Sequence, residues 1–165
     1  MLDRQNNVDF MPRPSKIDYY LNIAKEVTQR GTCLRRNHGA VIVKDDQIVA
    51  TGYTGAPRGT KNCCDIGTCP REEAHIPPGE RYELCKSVHA EQNAIINAAR
   101  SGVSVLGGTI YLYSENAKDS SINDAKPCKM CKRVMINAGL KNIIARTKEG
   151  YTEQEISSFK DEDLF

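Results

Sequence analysis

The sequence has no strong charge of either sign, no long apolar run, few aromatic residues and no internal repeat. Its 23 Lys and Arg residues stand against 21 Asp and Glu, a formal net charge of +2, so no overall field draws it onto nucleic acid or acidic lipid. With 6% aromatic residues and no basic or aromatic stripe, it offers no track along which a single nucleic-acid strand would stack. No apolar run approaches the roughly 20 residues that cross a bilayer, and none resembles the core of a signal peptide. The expectation is a cytoplasmic protein with neither nucleic acid nor membrane as a partner. Its 165 residues suffice for one packed domain and fall short of two ordinary ones. The expected division is a tail over 1–14 and a single domain over 15–165.

Cysteine, by contrast, is plentiful, with 7 residues. In a chain without an export signal, reducing conditions favour metal ligation or thiol chemistry over a disulfide framework.

Residues 1–14 carry no periodicity and are punctuated by Pro12 and Pro14. From Ser15 onward, Ile17, Tyr20, Leu21, Ala24 and Val27 fall at helical spacing, with Ser15 and Asp18 placed as a capping pair and Gly31 as the stop. The β-branched runs 39–43 and 47–51 flank Lys44-Asp45-Asp46 and predict an antiparallel hairpin. Residues 52–83 are rich in Gly, Pro and Cys without a sustained pattern, and an irregular segment of that length needs an internal anchor. Val88, Ala90, Ala94, Ile95, Ala98 and Ala99 predict a second helix ending near Gly102, followed by a strand at 109–113. After a polar stretch, Pro127 opens a helix carrying Cys128, Cys131, Val134, Met135 and Ala138, closed by Gly139, and 142–146 reads as a strand. Thr152 and Glu155 have capping-box spacing, which predicts a short C-terminal helix. The pattern is that of an α/β domain, a mixed sheet covered by helices, with its last two strands parallel because a helix joins them.

Two fragments carry the chemistry. His89-Ala90-Glu91 starts the second helix, and Pro127-Cys128-Lys129-Met130-Cys131 starts the third. Cysteines three apart on one helix turn both sulfurs toward one point, and the positive helix end favours their thiolates. Adding His89 gives three ligands that suit tetrahedral Zn²⁺ with the fourth position left to water, as in catalytic sites. Glu91 lies on the same first turn as His89, in reach of that water without ligating the metal, and is the obvious proton carrier.

This H-x-E followed by P-C-x-x-C resembles the signature of the zinc-dependent nucleobase deaminases. The resemblance extends to residues 37–43, 50–59 and 89–95, all of which are similar to the deoxycytidylate (dCMP) deaminase family, and it covers about residues 15–146. It implies a three-layer α/β/α sandwich around a mixed five-stranded sheet, a homo-oligomer from dimer to hexamer, activation by dCTP with Mg²⁺ and inhibition by dTTP. It implies hydrolysis of dCMP to dUMP and ammonia, supplying dUMP for thymidylate synthesis. His89, Cys128 and Cys131 would hold Zn²⁺, and Glu91 would take a proton from water, pass it to N3 of cytosine and then protonate the departing amino group. By the same resemblance the Ala90 backbone lies against the pyrimidine edge and residues 52–59 line the nucleotide. Arg58 and the Arg35-Arg36 pair are candidates for the phosphate, since guanidinium groups grip phosphate oxygens in pairs. Thr54 stands where the family commonly has an Asn that contacts the sugar, and residues 115–126 are inserted where many relatives pass almost directly from strand to Pro-Cys.

Cys33, Cys63, Cys64, Cys69, His75 and Cys85 precede the signature, most of them in the segment that needs an anchor. Some members of the family carry a second, structural zinc, and Cys33 and Cys63 match positions resembling its ligands. Cys33, Cys63, Cys69 and Cys85 are the expected set, with Cys64 or His75 as replacements, because spacing alone does not choose four ligands among six. Other free substrates such as dCTP or CMP stay open. The bland alternatives are a Cys128–Cys131 redox pair, which leaves His89 and Glu91 unexplained, a purely structural zinc domain, and ordinary buried cysteines in the second cluster.

Overall fold

The computed structural model describes residues 12–77 and 79–165; of the expected tail, residues 1–11 lie outside them. Helix α1 (Lys16–Thr28) starts where the capping pair predicts, with Ser15 Oγ accepting from the Asp18 amide at 3.0 Å. That bond satisfies an orphan donor, and the acid sits favourably at the positive helix end. Strands β1 (Arg36–Lys44) and β2 (Gln47–Tyr53) form the predicted hairpin, each longer than the β-branched runs alone. Asp45 and Asp46 turn the chain with φ of 50° and 60°, the pair of left-handed residues that a two-residue hairpin requires. Two single-turn helices, α2 (Cys63–Ile66) and α3 (Pro70–Glu73), punctuate the long irregular segment.

The remainder is α4 (Ala90–Arg100), β3 (Thr109–Asn116), α5 (Lys129–Asn137), β4 (Asn142–Thr147), β5 (Gly150–Glu155) and α6 (Asp161–Leu164). The strands make one mixed sheet in the order β2-β1-β3-β4-β5, antiparallel throughout except for β3 and β4, which α5 connects and which run parallel as expected. Alternation along β3 sends Ile110 and Leu112 into a core with Ala90, Ala94, Ala98 and Met135, and sends Tyr111 and Tyr113 toward Tyr20, Leu21 and Ala24 of α1. Helix α1 therefore covers one face while α4 and α5 cover the other, which is the three-layer sandwich. No helix among the described residues is long and apolar enough to cross a membrane.

Pro127 does not open its helix, which starts at Lys129 with Cys128 as N-cap, and the C-terminal expectation is overturned. Thr152 and Glu155 open no α-helix; residues 150–155 form the fifth strand, antiparallel to β4, a single 3-10 turn follows at Ile156–Ser158, and the last α-helix begins only at Asp161. As a sheet edge exposed along nearly its whole length, β5 has no apolar face and so shows no alternation to read.

Helix α4 lies close on β2 because its inner stripe is Ala90, Ala94 and Ala98 and because the facing strand residue is Gly52. A Cβ at Gly52 would stand 2.2 Å from the Ala94 nitrogen and 2.4 Å from the Ala90 oxygen, both backbone atoms that cannot swing aside. Gly52→Ala is therefore expected to destabilise the domain by roughly 1–3 kcal/mol, read as a lower urea midpoint at unchanged slope. An unchanged midpoint would mean that β2 and α4 separate without cost.

Candidate metal centre and its cavity

The N-terminus of α4 is tied to the hairpin from two sides. Gly55 and Val88 exchange backbone hydrogen bonds of 3.2 and 2.8 Å, and the Asn93 and Asn97 side chains donate to the carbonyls of Tyr53 and Thr51 at 2.8 and 2.7 Å. These contacts fix residue 89, the N-cap of α4, whose ring takes no part in capping. At the start of α5, Cys128 is the N-cap and its sulfur accepts from the Cys131 amide at 3.4 Å. The two helix starts meet: His89 Nδ1 is 3.4 Å from Cys128 Sγ and 3.3 Å from Cys131 Sγ.

All three donor atoms lie within 4.8 Å of one another, and among the described residues no other group of three donors does. The donor set fits zinc. Tetrahedral bonds of about 2.0 Å to nitrogen and about 2.3 Å to sulfur put those ligands about 3.5 Å apart, close to the spacing observed. The two thiols act as one unit. The hydrogen bond from Cys131 pulls Cys128 down to about 4 against the opposing effect of burial, while the same bond and burial push Cys131 up. An ion that takes both sulfurs as thiolates displaces the proton they share.

Glu91 follows on the first turn of α4 and is only 4% exposed. Burial raises its carboxyl above the usual range, with His89 pulling the other way, so the group holds a proton more readily than an exposed carboxylate does. His89, Glu91 and Cys128 all line a cavity of about 280 Å³. A larger cavity of about 630 Å³ opens between the start of α1 and the β1–β2 turn, where Lys16, Tyr19 and Asp46 line it, and it includes none of these donors.

The expected substrate residues divide. Arg35 and Arg36 line the cavity, Arg35 with its Nε 3.4 Å from Glu72 Oε1. Thr54 also lines it, buried, with its hydroxyl oxygen accepting from the His38 amide at 3.2 Å. Ala90 is fully buried at the first position of α4. Arg58 is not brought to the cavity, and its Nη2 donates to Asn97 Oδ1 at 2.6 Å. The inserted segment does reach the cavity, through Asp124 and Lys126.

Sequence reading did not single out His38, Arg71 or Tyr82, which share the cavity wall. His38 is a polar interruption just before an apolar strand, a signal that was available; burial lowers it to about 4, so the ring is neutral near pH 7. Tyr82 meets the His89 ring edge-on at 4.8 Å, and nothing in the irregular segment foretells that.

In the second cluster, Cys63 and Cys69 are buried, Cys33 and Cys85 half-buried, and Cys64 exposed. Burial raises the Cys63 thiol, helped by Cys33, Cys69 and Cys85 and opposed by a hydrogen bond with Ser87. The four expected residues are thus neighbours, although no three of their sulfurs close to the spacing of the first centre.

Comparison with known proteins gives the following. The profile of the cytidine and deoxycytidylate deaminase zinc-binding region matches residues 14–147. The chain is 34% identical over 139 residues to the deoxycytidylate deaminase of Mycobacterium phage D29, covering 81% of this chain and 96% of that one. It is 33% identical over 135 residues to the deoxycytidylate deaminase of Schizosaccharomyces pombe, covering 82% of this chain but only 38% of the yeast protein's length. Among solved structures, the dCMP deaminase of cyanophage S-TIM5 in complex with dCMP and dUMP superposes with a TM-score of 0.59 at 27% identity, covering 81% and 82% of the two chains.

Proposed function

The chain belongs to the cytidine and deoxycytidylate deaminase zinc-binding family, and from that premise we propose that it hydrolyses dCMP to dUMP and ammonia, supplying dUMP for thymidylate synthesis. The observation that carries the reading is the convergence of His89, Cys128 and Cys131 beside the buried Glu91 in one cavity, in a chain similar over most of its length to proteins named deoxycytidylate deaminase.

His89, Cys128 and Cys131 would hold the zinc. When bound, zinc supplies a hydroxide-like nucleophile at neutral pH by lowering the pKa of water. Glu91 takes the proton released by the attacking water and carries it to N3 of cytosine, so that the ring nitrogen stays neutral as the new C4–O bond forms. It then takes the remaining proton from the new C4 hydroxyl and gives it to the amino nitrogen, and ammonia departs as the C4–N bond breaks and the C4 carbonyl forms. One carboxylate is base and then acid, which its raised proton affinity suits. The Ala90 backbone lies against the pyrimidine edge and holds the ring, Thr54 faces the sugar, and Arg35 and Arg36 face the phosphate side.

A structural zinc on Cys33, Cys63, Cys69 and Cys85 belongs to the same reading, supported by the joint effect of three of these thiols on the fourth. It would anchor a segment that is otherwise ordered by short elements, two single-turn helices and a 3-10 turn at Tyr82–Leu84. Family resemblance supports a cytoplasmic homo-oligomer, dimer to hexamer, that responds to dCTP with Mg²⁺ and to dTTP. A redox role for Cys128 and Cys131 is not favoured, since it gives His89 and Glu91 no task.

Ammonia release from zinc-loaded protein across dCMP, CMP, dCTP, deoxycytidine and single-stranded DNA tests the substrate. The expected order places dCMP first. A higher kcat/KM for CMP or dCTP would reassign the substrate, and no turnover of any, with or without dCTP as activator, would overturn the reading.

A further inference from the structure

We propose that Arg71, in the Cys-rich segment, is the principal grip on the 5′-phosphate of the nucleotide and so decides between nucleotide and nucleoside. The inference rests on the nucleotide reading above and adds to it a residue that neither motif nor spacing marks.

Arg71 lines the cavity and is 6% exposed. Among the described residues no carboxylate forms an ion pair with its guanidinium cation. Arg35, on the same cavity wall, is held by Glu72. One nitrogen, Nη2, donates to the Pro77 carbonyl at 3.0 Å, which fixes the fork, while the buried Nε has no partner. A buried cation without an acid, carrying an unused N–H, is costly unless an anion completes it. Because the residue lines the cavity, that anion arrives with whatever the cavity binds.

The surroundings fix its place relative to the chemistry. The Arg71 guanidinium lies 4.8 Å from the centre of the Tyr82 ring, and Tyr82 stands edge-on to His89 at 4.8 Å. The cation is thus one aromatic ring away from a metal donor, a separation comparable to that between the base of a nucleotide and its phosphate. Arg36 is exposed and competes with water for the same anion, and Arg35 is partly neutralised by Glu72. Arg71 has neither handicap.

Titration calorimetry of zinc-loaded wild type, Arg71→Gln and Arg71→Lys with dUMP and deoxyuridine, alongside turnover of dCMP and deoxycytidine, tests this. Arg71→Gln is expected to weaken dUMP binding and raise KM for dCMP by about 10- to 100-fold, with deoxyuridine and deoxycytidine changed by less than about threefold. Arg71→Lys keeps the charge without the fork, remains folded as a control, and falls between. Equal losses for nucleotide and nucleoside would reduce Arg71 to a loop anchor and overturn the proposal, as would no loss at all. If wild type neither binds nor converts these ligands, the nucleotide reading fails by itself. Arg71 is then judged on thermal protection by inorganic phosphate: protection lost in Arg71→Gln supports an anion grip, and its absence in wild type refutes one.

Discussion

Glu91→Gln is expected to lower kcat for deamination by roughly 10²–10⁴-fold with KM and bound zinc nearly unchanged. Gln copies the shape of Glu and can still hydrogen-bond to substrate, but it cannot accept a proton from water and deliver it to N3 or to the leaving nitrogen. Since Glu91 is not one of the three grouped donors, the metal should stay. At 4% exposure a neutral side chain is easier to bury than a carboxylate, so the thermal midpoint should not fall. Steady-state ammonia release, metal analysis and a melt on the same preparation check all three, and retention of more than about a tenth of kcat would take proton transfer away from this residue.

Removing a donor should do more. Cys131 is fully buried on the first turn of α5, with its sulfur 3.3 Å from His89 Nδ1. Cys131→Ala leaves one thiolate and one imidazole, and its loss of zinc affinity should exceed the roughly 10–100-fold that changes beyond the ligand shell cause. The expected result is no measurable deamination and a metal content that falls by one zinc per chain, the second zinc proposed for the Cys-rich segment being unaffected. Loss of all metal would show that the two centres are one cooperative unit; no loss would remove Cys131 from the ligand set.

The parts of the molecule that were legible in the sequence are those whose cause is local. Helix α1 announces itself because Ser15 caps it and its apolar residues recur every turn. His89, Glu91, Cys128 and Cys131 are readable because two helix starts carry residue types that, in that spacing, have few other uses. Strand β5 was misread because an edge strand with both sides in water has no apolar rhythm, while Thr152 and Glu155 imitate a helix cap. Arg71 and Tyr82 escape sequence reading for a different reason: their place depends on how an irregular segment returns to His89 at the start of α4, and no periodicity encodes that path. Arg58 shows the converse, a residue in a suggestive glycine-rich stretch whose side chain is drawn off to Asn97.

The metal donors come from opposite sides of a strand. His89 and Cys128 are 39 residues apart, and β3 lies between them in the chain. The Cys128–Cys131 turn alone offers two sulfurs, half of what zinc takes, so high-affinity uptake waits until α4 and α5 have docked on the same face of the sheet. Loading is then a late event in the life of the chain, and the ion, once captured, fastens two helices of one layer to each other. Metal uptake thereby becomes a sign that α4 and α5 have come together on the sheet.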